Sequence, residues 1–142
     1  MRYFIFLLSI TILSCNSESS DSTRNNQEAL AANEFKDGEY TMKQYYFVML
    51  KKGENRDENI DTAIVNELQR KHLANIDRLA DEGKIIVAGP FGDDGDWRGI
   101  FIFNCDKQEE VEGLLNTDPM VAAKWLSYEI HPWWTAKNEV FK

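Results

Sequence analysis

Gln44-Tyr45-Tyr46-Phe47-Val48-Met49-Leu50 is a run of aromatic and aliphatic side chains, and Gly99-Ile100-Phe101-Ile102-Phe103-Asn104 repeats its character. Such runs read as strands buried on both faces, because a strand with one wet face alternates apolar with polar residues. Between them Ile60, Ile64, Leu68, Ile76 and Leu79 recur at helical intervals from Ile60 to Ala80, with Asn59 or Asp61 placed to cap the start and Gly83 the end. Lys84-Ile85-Ile86-Val87-Ala88 reads as a second strand, ended by Gly89-Pro90, and Phe91 to Asp96 as a loop. Gln108–Leu115 reads as a helix, Asp118-Pro119 as a restart running to Trp125, and Ser127–Trp133 as the last strand. The order βαββαβ predicts an α+β fold, a ferredoxin-like sandwich with helices on one face of a four-stranded sheet. Helices on one face leave the other uncovered, although the first and third strands are apolar on both. A second copy of the chain, forming a homodimer, is therefore expected over it.

Outward from this unit, composition narrows the function classes. The chain has 142 residues, 43% of them hydrophobic, enough for one domain with an appendage. Lys plus Arg total 16 against 24 Asp plus Glu, a net charge of -8, so no basic face is expected to displace counterions from nucleic acid. Charge-driven docking on anionic lipid is disfavoured for the same reason. Met1-Arg2, the apolar run Tyr3 to Leu13 and Ser14-Cys15 have the layout of a cleavable secretory signal. The run is shorter than the roughly 20 residues of a membrane-spanning helix. Ile12-Leu13-Ser14-Cys15 resembles the bacterial lipobox, which implies a lipid-modified Cys15 and a lipid anchor in a membrane; the alternative is an ordinary signal peptide with an unrelated cysteine. Asn16 to Glu28 holds no apolar residue and cannot order itself by burial. The expected organisation is a signal peptide at 1–14, a tether at 15–41 and a domain at 42–142. The expected location is the cell envelope, with the domain in the periplasm or outside the cell.

Few side chains suggest chemistry. His72 falls on the apolar stripe of the long helix, four residues after Leu68 and four before Ile76. A partly desolvated imidazole there suits a general base, or a structural histidine bonded to a backbone carbonyl. Asp118 before Pro119 reads as a helix N-cap, a role compatible with a second oxygen orienting an imidazole. Alternation puts Ser127, Glu129, His131 and Trp133 on one strand face, either lining a cavity on the dimer side or standing in solvent. Arg98 suits a substrate carboxylate through its planar fork, or pairs with Asp93, Asp94 or Asp96. Cys105 ends an apolar strand and reads as packed rather than nucleophilic. The spacing of the acidic loop lacks an EF-hand pattern, and no metal motif, phosphate-cradling glycine loop or nucleophile elbow is present, so neither metal nor cofactor is expected.

Arg70-Lys71-His72-Leu73, Ala88-Gly89-Pro90, Asp118-Pro119 and the ending Glu129-Ile130-His131-Pro132-Trp133-Trp134 together resemble the YciI-like (YCII-related domain) family of the dimeric α+β barrel superfamily. The likeness covers about Lys43 to Ala136. It implies a ferredoxin-like dimer with sheets face to face and a His–Asp dyad in a pocket, falling here on His72 and Asp118. It further implies a small organic ligand and proton abstraction, elimination or isomerisation, with His131 or Arg98 steadying an oxyanion; by strand alternation Trp133 would be the aromatic wall of a dimer-side cavity. The alternative is a non-catalytic binding module. Met120 replaces the aromatic residue the family often carries after Asp-Pro, and the polar loop Lys51–Asn59 is long for the family.

Overall fold

The computed structural model describes residues 29–56 and 61–138. The signal segment 1–14, Cys15, the tether up to residue 28 and the alternative cap Asn59 lie outside the described residues. Eight elements follow in order: β1 (Glu34–Asp37), β2 (Tyr40–Lys52), α1 (Thr62–Asp81), β3 (Ile85–Pro90), β4 (Trp97–Phe103), α2 (Gln108–Leu115), α3 (Pro119–Ala122) and β5 (Leu126–Ala136).

All strand pairings are antiparallel, with β2 between β5 and β4, and β3 outside β4. With the short β1 set aside, the order β5-β2-β4-β3 is that of a ferredoxin-like α+β sandwich, the protomer fold of dimeric α+β barrels. Met42 and Lys43 pair with β5 and also with Phe35 and Glu34, so β1 extends the β2 edge that β4 occupies further along.

That hairpin corrects the expected boundary, because the folded unit starts upstream of Met42. Glu34-Phe35-Lys36-Asp37 is too short and polar to read as a strand, and it acquires that state from pairing with Tyr40–Lys43. Gly38, at φ +58, supplies the left-handed residue that a two-residue hairpin loop needs.

Residue parity on β2 sorts the sheet into two faces. Tyr46, Val48 and Leu50 join Phe101 and Phe103 of β4 in a core closed by Leu79 of α1, Val111 and Leu115 of α2, Met120 of α3 and Trp125. In β3 an irregularity between Ile85 and Val87 leaves Ile86 49% exposed and keeps Ile85 in this core. Tyr45, Phe47 and Met49 pair across to Ile100, Ile102, Glu129, His131 and Trp133 on the opposite face.

Helix α1 begins where Asp61 accepts from the Ala63 amide at 2.8 Å, and Gly83 lies just beyond its end at φ +69. Its inward stripe is Val65, Leu68, His72, Ile76 and Leu79. Ile64, expected on that stripe, is 52% exposed, because one residue of offset turns a side chain about 100° around a helix. The restarted helix is also shorter than expected, ending at Ala122 before Lys124 at φ +55.

Candidate active site

The chain from α2 to α3 determines where a buried carboxylate points. The Asp118 amide donates to the Leu115 carbonyl at 3.0 Å as α2 ends. Pro119 then excludes helical geometry at the preceding residue, and Asp118 is extended at φ -76, ψ 122. Its Oδ1 accepts from the Met120 amide at 2.9 Å, capping α3. Oδ2 lies 2.5 Å from Nδ1 of His72, which arrives from α1. Asp118 is 2% exposed and His72 8%, so both readings of Asp118, cap and imidazole partner, hold at once.

The tautomer follows from the partners. A carboxylate only accepts, so with Asp118 in its ionised form the hydrogen shared with His72 sits on Nδ1. Nε2 makes no hydrogen bond among the described residues. Among the described residues no buried side-chain nitrogen or oxygen lacks a partner, so Nε2 must be accessible. What it reaches is a cavity of about 280 Å³ enclosed by α1, the β3–β4 edge, Met120 and the turn after β2. The Phe101 ring lies 6.2 Å from the imidazole, centroid to centroid, and forms part of the wall. Leu50, Leu73, Ile76 and Leu126 supply more apolar surface, and Ala88-Gly89-Pro90 the strand edge. Gly99 permits the close approach of that edge, since a Cβ there would stand 2.5 Å from the Gly89 carbonyl oxygen.

Two guanidiniums complete the wall. Arg98 donates through Nη1 to Asp94 at 2.6 Å and to the Gly95 carbonyl at 3.2 Å, so the acidic-loop pairing holds while the side chain still lines the cavity. Arg56, read in the sequence only as part of a polar loop, stacks 5.4 Å from the Trp125 ring centroid. Burial, and then the Arg98 charge, lower its pKa from the usual arginine value, with Asp94 opposing them.

His131 and Trp133 do not join this site, which corrects the expected part of His131 in steadying an oxyanion beside His72. They pair with Phe47 and Tyr45 on the sheet face opposite the helices, and strand parity keeps them there. His131 is 61% exposed, with the Glu129 carboxylate at 3.9 Å, and Trp133 is 42% exposed. Cys105 is buried, and desolvation pushes its thiol up to about 11, in line with packing rather than nucleophilic chemistry. Among the described residues no group of three or more His, Cys, Asp and Glu side chains is arranged to hold a metal ion.

The signal missed in the sequence was Gly53 and the residues around it. Gly53 donates to the Trp125 carbonyl at 3.0 Å and Asn55 to the Lys124 carbonyl at 3.0 Å, tying the turn that carries Arg56 to the segment after α3.

Against known proteins, the YCII-related domain matches residues 45–134. No curated protein gives a significant match. Among solved structures the chain is similar to the 5-chloro-2-hydroxyhydroquinone dehydrochlorinase of Burkholderia phenoliruptrix AC1100 in complex with 2,5-dihydroxybenzoquinone. The identity is 22%, over 63% of this chain and 92% of that one, with a TM-score of 0.47.

Proposed function

The chain belongs to the YCII-related domain family, and from that premise we propose a small-molecule enzyme that uses His72 and Asp118 as an acid–base dyad. One observation carries the reading: Asp118 divides its oxygens between the Met120 amide and His72 Nδ1, leaving Nε2 accessible at an apolar cavity. Nε2 takes a proton from a carbon acid beside a carbonyl, and the carbonyl oxygen gathers the electron pair. Asp118 holds Nδ1–H and stabilises the imidazolium that results. Arg98, with Nε and Nη2 not engaged by Asp94 or Gly95, steadies the oxyanion. The electron pair then returns to carbon, where His72 delivers the proton at a new position (isomerisation), or it expels a leaving group from the neighbouring carbon (elimination).

The test is solvent deuterium incorporation and leaving-group release across a panel of small 2-oxo acids, 3-oxo acids and β-chloro carbonyl compounds. Asp118→Asn keeps the shape and a capping oxygen, but its amide donates to Nδ1 and moves the hydrogen to Nε2, where it blocks the base. The expected loss of turnover is about 10²–10⁴-fold, with the tautomer change read from the His72 ring nitrogens by ¹⁵N NMR. Exchange that is absent across the panel overturns the enzyme reading and leaves a ligand-binding module, and exchange that persists in Asp118→Asn overturns the dyad.

The same proposal includes a homodimer and a lipid tether. The helix-free face carries the half-buried Phe47 and Met49 beside the buried Tyr45 and Ile102, and a second copy supplies a matching apolar sheet. Sedimentation is expected to give a dimer and Phe47→Asp a monomer; a monomeric unmodified chain sinks this part. Ile12-Leu13-Ser14-Cys15 motivates the tether, and Cys15→Ser is expected to move the protein from the membrane to the soluble fraction. A membrane fraction unchanged by Cys15→Ser refutes it.

A further inference from the structure

Two cations line the cavity, and they are not equivalent. Arg98 is held by Asp94 and by the Gly95 carbonyl. Arg56 lies over the Trp125 face, and it is in no ion pair with a carboxylate among the described residues. A guanidinium over a ring face is attracted to it without using up its N–H donors, which remain able to bind an anion. The brace is rigid. Besides the Gly53 and Asn55 amide bonds already described, the Asn55 side chain donates to the Ala123 carbonyl at 3.1 Å, tying this turn to the end of the helix that Asp118 caps.

We propose that Arg56 is the carboxylate-binding residue of the cavity and that its ligand is a small organic monoanion with an apolar body. The inference rests on reading this cavity as the ligand site and adds the substrate class. Asp94 offsets the charge of Arg98, so the cavity wall carries one net positive charge, which matches a carboxylate better than a phosphate dianion. Leu73, Ile76, Phe101 and Met120 offer apolar surface for the remainder of the molecule. At about 280 Å³ the space lies at the small end of ligand pockets, which run from about 300 Å³ upward. A carboxylate on Arg56 also offsets the two effects that disfavour its charge, burial and the neighbouring Arg98.

The experiment titrates the full chain with pentanoate, benzoate and cyclohexanecarboxylate, with the three matched amides, and with inorganic phosphate, following amide shifts by NMR. At least one carboxylate is expected to bind about tenfold or more tightly than its amide, the worth of a charge-assisted hydrogen bond pair. Arg56→Gln is expected to erase that preference and Arg56→Lys to keep part of it, while Arg70→Gln, at an exposed arginine of α1 outside the cavity, keeps it whole. Equal binding of acid and amide, an unchanged preference in Arg56→Gln, or phosphate binding more tightly than every carboxylate overturns the inference. Because binding is read without turnover, the two readings fail separately. Carboxylate preference without deuterium exchange removes only the acid–base chemistry, and exchange without carboxylate preference removes only the role of Arg56.

Discussion

His72 and His131 lie on opposite sides of one sheet, and their surroundings differ in every respect that tunes an imidazole. His72 is 8% exposed, with Nδ1 held by a carboxylate that a helix cap has already oriented. The His131 side chain is 61% exposed, and its nearest carboxylate, on Glu129, is 3.9 Å away and itself paired with Lys51. The helix layer makes the difference. It removes water from one face and delivers Asp118 at a fixed angle, whereas the other face has only strand neighbours. A histidine is buried and oriented when two elements converge on it, and alternation along a strand does not achieve that alone.

The contrast is most easily broken through the core. Phe103 has no exposed surface, and Phe103→Ala is expected to cost about 3–5 kcal/mol in urea unfolding. Trp133→Ala on the helix-free face is expected to cost about 1 kcal/mol or less for the isolated protomer. A Trp133 effect as large as that of Phe103 means the second face is as buried as the first, which would locate the dimer contact there.

Next in size are the two carboxylates. Asp118→Ala removes the α3 cap and strands the buried His72 Nδ1–H, at an expected cost of about 2–4 kcal/mol. Glu129→Ala is expected to stay within about 0.5 kcal/mol, because its pairs are exposed to solvent. Equal effects in urea unfolding would erase the distinction between the two histidine environments.

Gly53→Ala tests how the Arg56 turn is anchored. A Cβ there would stand 2.1 Å from the Lys124 carbonyl oxygen, so the expected cost is about 1–3 kcal/mol, with shifted NMR signals for Trp125 and Arg56. An unperturbed variant would show that the turn and the α3 segment move independently.

Cys105 offers a chemical probe of the covered face. With its thiol pushed up to about 11 by burial, it is expected to resist a disulfide reagent at pH 8 until the protein unfolds. Rapid labelling of the folded chain would mean that the core opens there.

The smallest effect is the pH response of the Lys84–Glu110 pair at 2.6 Å. The hydrogen bond from Lys84 holds the Glu110 carboxyl below its ordinary value. A depressed carboxyl stabilises the fold above its unfolded pKa, and that contribution fades as pH falls through the lower folded value. Both side chains are 37% exposed, so solvent screening keeps the effect to about 0.5 kcal/mol or less. It is read as the Glu110→Gln difference that is present at pH 6 and absent at pH 2.

By itself the sequence determines the element order, the strand parity and most of the buried positions. These are consequences of local chemistry: aromatic runs make strands, Asp118-Pro119 restarts a helix, and the stripe through Leu68, His72 and Ile76 turns inward. Short-range patterns also mislead where a single residue of offset matters, as at Ile64 and Val65, or where pairing alone confers the structure, as at Glu34–Asp37. Only the tertiary structure decides that His72 meets Asp118, 46 residues away, that Arg56 faces the same cavity, and that His131 does not. Distances between residues far apart in the chain are set by how layers pack and by which sheet face the helices cover. No periodicity within one element encodes them.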